Sequence, residues 1–265
     1  MRLFTLAAML VGINAFAQEP PVSIPVSNNR ASIYLTWGYH RDAYTRSTIH
    51  FKDSQTDNYD FIFHNARAKD QVDLYDFFHT PLTVPQYVIN LGYIMKDHNG
   101  WGFEVSWDHL KYVVRDNQVM HMTGMIHEGH FDKDTLVTPG FVHFEHTNGN
   151  NYAMASAVKQ TTMLSSRNGN HVLNSLLKAG GGILFPKTDS YIMGKHNDGP
   201  FQFSGYVIGV SANLRYVIYK YFYLETSLKG AFADYTHAKL YEKGFAKHTF
   251  FSLQAIGSAG ITIPF

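Results

Sequence analysis

"FFSLQAIGSAGITIPF", Phe250–Phe265, carries an alternation that runs to the last residue. Phe251, Leu253, Ala255, Ala259, Ile261, Ile263 and Phe265 share one side. Ser252, Gln254, Ser258 and Thr262 share the other. Successive side chains of a β-strand point to opposite faces, so this is a strand with one apolar face and one small or polar face. Termini usually fray and carry polar residues. An apolar stripe that reaches Phe265 predicts a last strand paired along its whole length.

The same two-faced pattern recurs. In "ASIYLTWGYH", Ile33, Leu35, Trp37 and Tyr39 oppose Ser32, Thr36, Gly38 and His40. In "QYVINLGYIM", Tyr87, Ile89, Leu91, Tyr93 and Met95 oppose Gln86, Asn90 and Gly92. Asn99–Gly100 then makes a tight turn into "WGFEVSWDH", where Trp101, Phe103, Val105 and Trp107 oppose Glu104 and Asp108. Two such runs across Asn-Gly are a hairpin signal. Similar strands follow in "HVLNSLLKAGGGILF", "YVIGVSANLRYVIY" and "YFYLETSLKGAFADY".

These strands are longer than the usual five or six residues, and about 9 to 11 tilted residues cross a bilayer. One face is apolar with Tyr, Trp and Phe near its ends. The other carries Glu104, Asp108, Lys178, Arg215, Glu225 and Lys229. Apolar outward, polar inward and aromatic at both borders is the pattern of a closed transmembrane β-barrel. The six charges are the candidate lumen residues. Both signs are present, so they can pair inside a barrel just wide enough for side chains to fill.

Composition agrees. Charged residues make up 16% of the chain and aromatics 15%, with 20 Phe and 17 Tyr. Mean hydropathy is −0.19. The formal net charge of +1 argues against a nucleic-acid partner, which calls for a basic stripe. "MRLFTLAAMLVGINAFAQ" joins Arg2 to an apolar run and an A-x-A site at Ala15–Ala17, the layout of a secretory signal peptide. The expected organisation is a signal over 1–17, a Pro-rich periplasmic lead-in over 18–29 and a barrel over 30–265. With no cysteine, the exported chain uses no disulfide.

Short turns are expected at Asp97–Gly100, near Thr147–Asn151, at Pro186–Asp189 and at Lys220. Long segments fall at about 42–84, 114–135, 163–170, 195–200 and 236–247. Short periplasmic turns and long external loops are the rule for such barrels. The count is about ten strands, with eight or twelve open; 136–146, 151–162 and 188–195 are the ambiguous stretches. "STIHF" and "YDFIFHNA" predict a folded 42–84 loop.

The export signal, the long two-faced strands and the terminal "ITIPF" resemble a Gram-negative outer-membrane β-barrel. "WGYHRDAYTRSTIHF", "DHLKYVV" and "FEHTNGNNY" resemble stretches of uncharacterised Bacteroidetes barrels. The resemblance implies an outer-membrane location after Sec-type export, contact with outer-membrane lipid and lipopolysaccharide, and insertion by the barrel assembly machinery. Ile261, Ile263 and Phe265 match the assembly signal of that class. It implies no activity.

Candidate chemistry is sparse. "VMHMTGMIHEGHFDKD" gathers His121, His127 and His130 with Met120, Met122 and Met125, ligand types that suit copper or zinc. The spacing is not H-E-x-x-H, and a polar external loop is the plainer reading. "HFEH" would send His143 and His146 to opposite faces of a strand. Asp53, Asp57 and Asp60 lack the glycine and bidentate Glu of a calcium loop. Asp108–His109 is the first pair to test for catalysis, yet neighbours in a strand face opposite ways. No cofactor is implied. The expected role is structural or interaction-based, through external loops that meet a protein partner, with the lumen largely filled. The alternatives are a narrow channel for small solutes or an enzyme such as a lipid A modifying hydrolase.

Overall fold

The computed structural model describes residues 30–71, 86–96 and 99–265. The expected signal (1–17), the lead-in (18–29), part of the 42–84 segment and Asp97 of the expected turn lie outside them. Among the described residues fifteen strands follow in order. The first five are β1 (Ser32–Tyr44), β2 (Ser47–Asp53), β3 (Tyr59–Ala66), β4 (Ala68–Lys69) and β5 (Tyr87–Ile94). The next five are β6 (Trp101–Val114), β7 (Gln118–Ile126), β8 (Gly129–Val137), β9 (Val142–Ser165) and β10 (His171–Leu184). The last are β11 (Asp189–Ile192), β12 (Lys195–Asp198), β13 (Gly205–Ile218), β14 (Phe222–Lys239) and β15 (Phe245–Pro264). No helix occurs among the described residues.

Eight strands close a ring in the order β1-β5-β6-β9-β10-β13-β14-β15, and β15 pairs back onto β1. Every pairing in the ring is antiparallel. The closing ladder runs from Ser32↔Pro264 to Tyr44↔Ser252. Phe265 N–H donates to Ala31 O beyond it. Closure leaves the ring no free edge.

Alternation sorts the side chains. Leu35, Trp37, Leu91, Phe103, Ile208, Val210, Leu224 and Leu253 stand exposed on the outer wall; Phe103 is 61% and Val210 63% exposed. Tyr34, Asn90, Glu104, Leu176, Arg215, Tyr223 and Gln254 are buried inside. Two glycines make room for the interior. A Cβ on Gly92 would fall 2.0 Å from the Tyr34 ring, and one on Gly260 2.3 Å from the Tyr223 ring. A larger residue at either position would expel a tyrosine.

The ring has eight strands rather than ten, for two reasons. The stretches 136–146 and 151–162 do not form separate ring strands around a turn at Thr147–Asn151. That turn does not form, and β9 runs through it as one strand of 24 residues. Residues 188–195 belong to the β11–β12 hairpin, outside the ring. The expected long segment at 163–170 is short instead: 163–165 belong to β9, and 166–170 make a tight turn closed by Ser166 N–H to His171 O and Gly169 N–H to Ser166 O. It sits at the end of the ring that carries Ser32 and Pro264.

A second layer grows from the opposite end. β9, β14 and β15 continue past the ring. The upper part of β15 pairs with β2, and the sheet goes on through β3, β7 and β8. The start of β9 pairs with the β11–β12 hairpin, and β4 pairs with the end of β6. The 42–84 and 114–135 segments thus supply strands of a folded cap.

Candidate functional site

The interior of the ring is stacked in layers. Nearest the termini is a small apolar layer of Tyr34, Ile94, Val158, Leu176, Val217 and Tyr223. The Arg215 guanidinium lies between two of these rings, 4.1 Å from the centroid of Tyr34 and 4.1 Å from that of Tyr223. Such a desolvated cation–π contact is worth about 2 kcal/mol or more.

Arg215 Nε donates to Glu225 Oε2 at 2.6 Å. Asn213 Nδ2 donates to Glu225 Oε1 at 2.9 Å. Lys178 Nζ donates to Glu104 Oε2 at 2.6 Å and to Glu225 Oε1 at 3.5 Å. Tyr34 OH donates to Glu104 Oε2 at 2.8 Å. Higher up, Lys229 pairs with Asp108. All six charges named from the sequence therefore point inward. They balance as three cations against three carboxylates, which the cost of burying an unpaired charge requires. The space left among Glu104, Lys178, Asn213 and Lys229 is about 20 Å³, room for about one water molecule.

Above the charges, the lumen merges with the core of the cap in one apolar cluster. It runs from Met154 and Tyr152 through Tyr112, Tyr235 and Phe250 to Phe144, Phe51, Phe61 and Phe63. Phe51 stacks on Phe61 at 5.2 Å and meets Phe144 edge-on at 5.4 Å. Tyr112 stacks on Phe250 at 4.5 Å.

A buried polar chain crosses the junction between ring and cap. Ser47 Oγ lies 3.4 Å from His248 Nδ1, His248 Nε2 3.2 Å from His146 Nε2, and His146 Nδ1 3.1 Å from Thr188 Oγ1. Both imidazoles pack on Tyr235, at 4.8 and 4.5 Å. The exposed apolar wall of β15 begins at Phe251, so the pair lies beyond it. Burial pushes His146 down to about 3. Burial and the His146 neighbour also hold His248 well below the usual imidazole range. Both rings are neutral near pH 7, and one must donate to the other.

The remaining sequence candidates separate. His121 sits on the outer part of the cap, 3.0 Å from Asp132 and 3.1 Å from Asp134. His127 occupies the β7–β8 turn at φ 53, and His130 is exposed on β8. Among the described residues no group of three or more His, Asp or Glu is placed to hold a metal. His143 lies opposite His146, between Glu145 at 3.2 Å and Asp116 at 2.8 Å. The hydrogen bond to Glu145 and the Asp116 carboxylate raise it to about 9, against the effect of burial. Asp108 and His109 diverge. Asp108 pairs with Lys229 inside, whereas His109 stacks on Tyr87 at 5.0 Å and bonds Asn151 at 2.8 Å. Ile261, Ile263 and Phe265 are exposed on the outer wall of β15.

The His146–His248 pair was not visible from sequence spacing, because it joins residues about a hundred positions apart. The only hint was that both alternate with residues of the outer face.

No family model matches this chain, and no curated protein does. Solved structures of similar shape include Neisserial surface protein A, at 12% identity over 87% of this chain and 97% of that one, with a TM-score of 0.39. Ail of Yersinia pestis aligns at 14% identity over 89% and 99%, TM-score 0.30. The outer membrane protein OprG from Pseudomonas aeruginosa aligns at 10% over 89% and 98%, TM-score 0.37. Likeness of this degree assigns no role. The fold stands on the hydrogen-bonded closure of the ring.

Proposed function

We propose that this chain is an integral outer-membrane barrel with a filled lumen, and that its role is to hold a folded cap outside the membrane for contact with a partner. The observation that carries the reading is the inverted ring. Its outer wall is apolar, while its interior holds six paired charges. Water outside would make such a wall costly, since soluble proteins rarely expose large apolar patches. A bilayer makes it favourable. In this reading the end with Ser32, Pro264 and the turns at 166–170 and Lys220 faces the periplasm, and the cap, with the segment at 186–189, faces outward. The Bacteroidetes kinship and the signal peptide belong to the same proposal.

Ile261, Ile263 and Phe265 fit the assembly role within it. Deletion of Phe265 should lower the amount of inserted barrel in cells while leaving refolding in detergent intact. Equal insertion would remove that role.

The chain has no cysteine, so single-cysteine labelling tests the orientation. Lys133→Cys in β8 should react with an impermeant maleimide on intact cells, and Lys220→Cys only after lysis. The reverse result would invert the barrel, and a soluble protein that migrates alike with and without boiling would sink the membrane reading. In a planar bilayer the purified protein should carry no steady current. A stable single-channel step would replace the filled lumen by the narrow-channel reading.

A further inference from the structure

At the termini end, the mouth of the ring opens into a cavity of about 170 Å³. Its wall includes Arg30, just before β1, Lys220 in the β13–β14 turn, and Arg215 at the inner side. Gln160, Thr162 and Asn174 add uncharged polar groups, and among the described residues no Asp or Glu side chain contributes to the wall. Arg30 and Lys220 are exposed, and neither has an ion-pair partner among the described residues. The interior charges already cancel: Lys178 and Arg215 against Glu104 and Glu225, Lys229 against Asp108. Neither mouth cation is needed for that balance, and neither lies within ion-pair distance of a carboxylate among the described residues.

Arg215 supplies a second, independent sign. Its side chain is 2% exposed, its Nε is used by Glu225, and its Nη2 has no hydrogen-bond partner. A buried guanidinium N–H left unpaired costs free energy; Nη2 is itself closed to solvent, so an acceptor gains it only by displacing the side chains that cover it. Arginine presents its donors as a fork suited to carboxylate and phosphate oxygens.

We propose that this mouth is a binding site for one small oxyanion, a carboxylate or phosphate group, held by Arg30 and Lys220 at the rim with Arg215 behind them. The volume decides the size class. Pockets for drug-sized ligands run to about 300–1,000 Å³. This one holds an anionic group with its water, not a drug-sized ligand or a folded peptide. The site needs only the closed ring, so it stands apart from the outer-membrane reading.

The test is calorimetric titration of the full chain, in non-ionic detergent at low salt, with sodium phosphate and separately with sodium acetate, against sodium chloride. One oxyanion or both should give saturable heat above chloride. Phosphate alone assigns a phosphate source, acetate alone a carboxylate source, and either supports the site. Arg215 is avoided because its loss disturbs the interior. Arg30→Gln with Lys220→Asn, where Asn tolerates the φ of 70° at position 220, should weaken binding tenfold or more. Lys243→Gln, in the β14–β15 loop at the other end, should leave it unchanged. Heat no greater than chloride for both anions, or equal affinity in the double variant, overturns the proposal.

Discussion

The ring and the cap are built on opposite plans. In the ring, Leu35, Phe103, Val210 and Leu224 face outward and Glu104, Lys178, Arg215 and Glu225 face inward. In the cap, Phe51, Phe61, Phe63 and Phe144 are inside, and Asp132, Lys133 and Asp134 are outside. One chain thus folds inside out at one end and in the ordinary sense at the other. The difference teaches what surrounds each half. A polar interior is tolerable where the wall replaces water with hydrocarbon, and an aromatic interior is needed where water is the surroundings.

The strongest way to break this contrast is to unbalance the ring. Glu225→Gln leaves Arg215 and Lys178 short of a carboxylate, and losing one partner of a buried pair costs about 3–5 kcal/mol. The boiling-dependent gel shift should move to markedly lower temperature, with cap protease resistance a secondary effect. Phe61→Ala should do the converse. It empties a cap position at a cost of about 3–5 kcal/mol. Limited proteolysis should open β2–β3 and β7–β8 while the gel shift of the ring stays put. If both variants weaken both halves equally, ring and cap form one cooperative unit.

Acid probes the junction. His146 and His248 are held neutral in the fold, with His146 near 3, against about 6.5 in an unfolded chain. The unfolded form binds protons that the fold excludes. The stabilisation is therefore complete above about pH 6.5 and is lost as pH falls toward 3. For His146 alone the loss is about 2 kcal/mol by pH 5. Hydrogen-exchange protection factors, taken against the intrinsic exchange rate at each pH, should fall at the start of β2 and the upper part of β15 between pH 7 and 5. In His248→Phe with His146→Phe that dependence should flatten.

The finest probe moves one charge between surfaces. Val210 and Val119 are both well exposed, at 63% and 65%. Val210→Lys on the ring should cost about 2–4 kcal/mol in a bilayer. Val119→Lys on the cap should change stability by no more than about 0.5 kcal/mol. Equal costs, measured by refolding into lipid vesicles, would mean that the two surfaces meet the same surroundings.

Much of the ring was legible because period two is a local signal. Ile33 to Tyr39, Trp101 to Trp107 and Phe251 to Phe265 each declare their outer face within one strand. β9 misleads at the same local level. "NGNNY" carries the Asn-Gly of a turn, yet Gly149 keeps the strand going at φ 140°. Partners far away in sequence hold it there: Asn150 and Asn151 lie opposite Leu110 and His109. The cap was legible as strand-like pieces and not as a core, because Phe51 meets Phe144 only through pairings that no window of sequence contains. The charged lumen residues could be placed on a face. Their partners, such as Lys178 with Glu104, follow from ring order, which alternation does not encode.

β15 spans 20 residues, about 65 Å of strand at roughly 3.3 Å per residue. Crossing a bilayer takes about half that number. The part before Phe251 continues past the apolar wall as a mast, and β2 is stitched to it by hydrogen bonds from Phe245 to His248. The cap is therefore held at a set height and heading by the wall rather than by a tether.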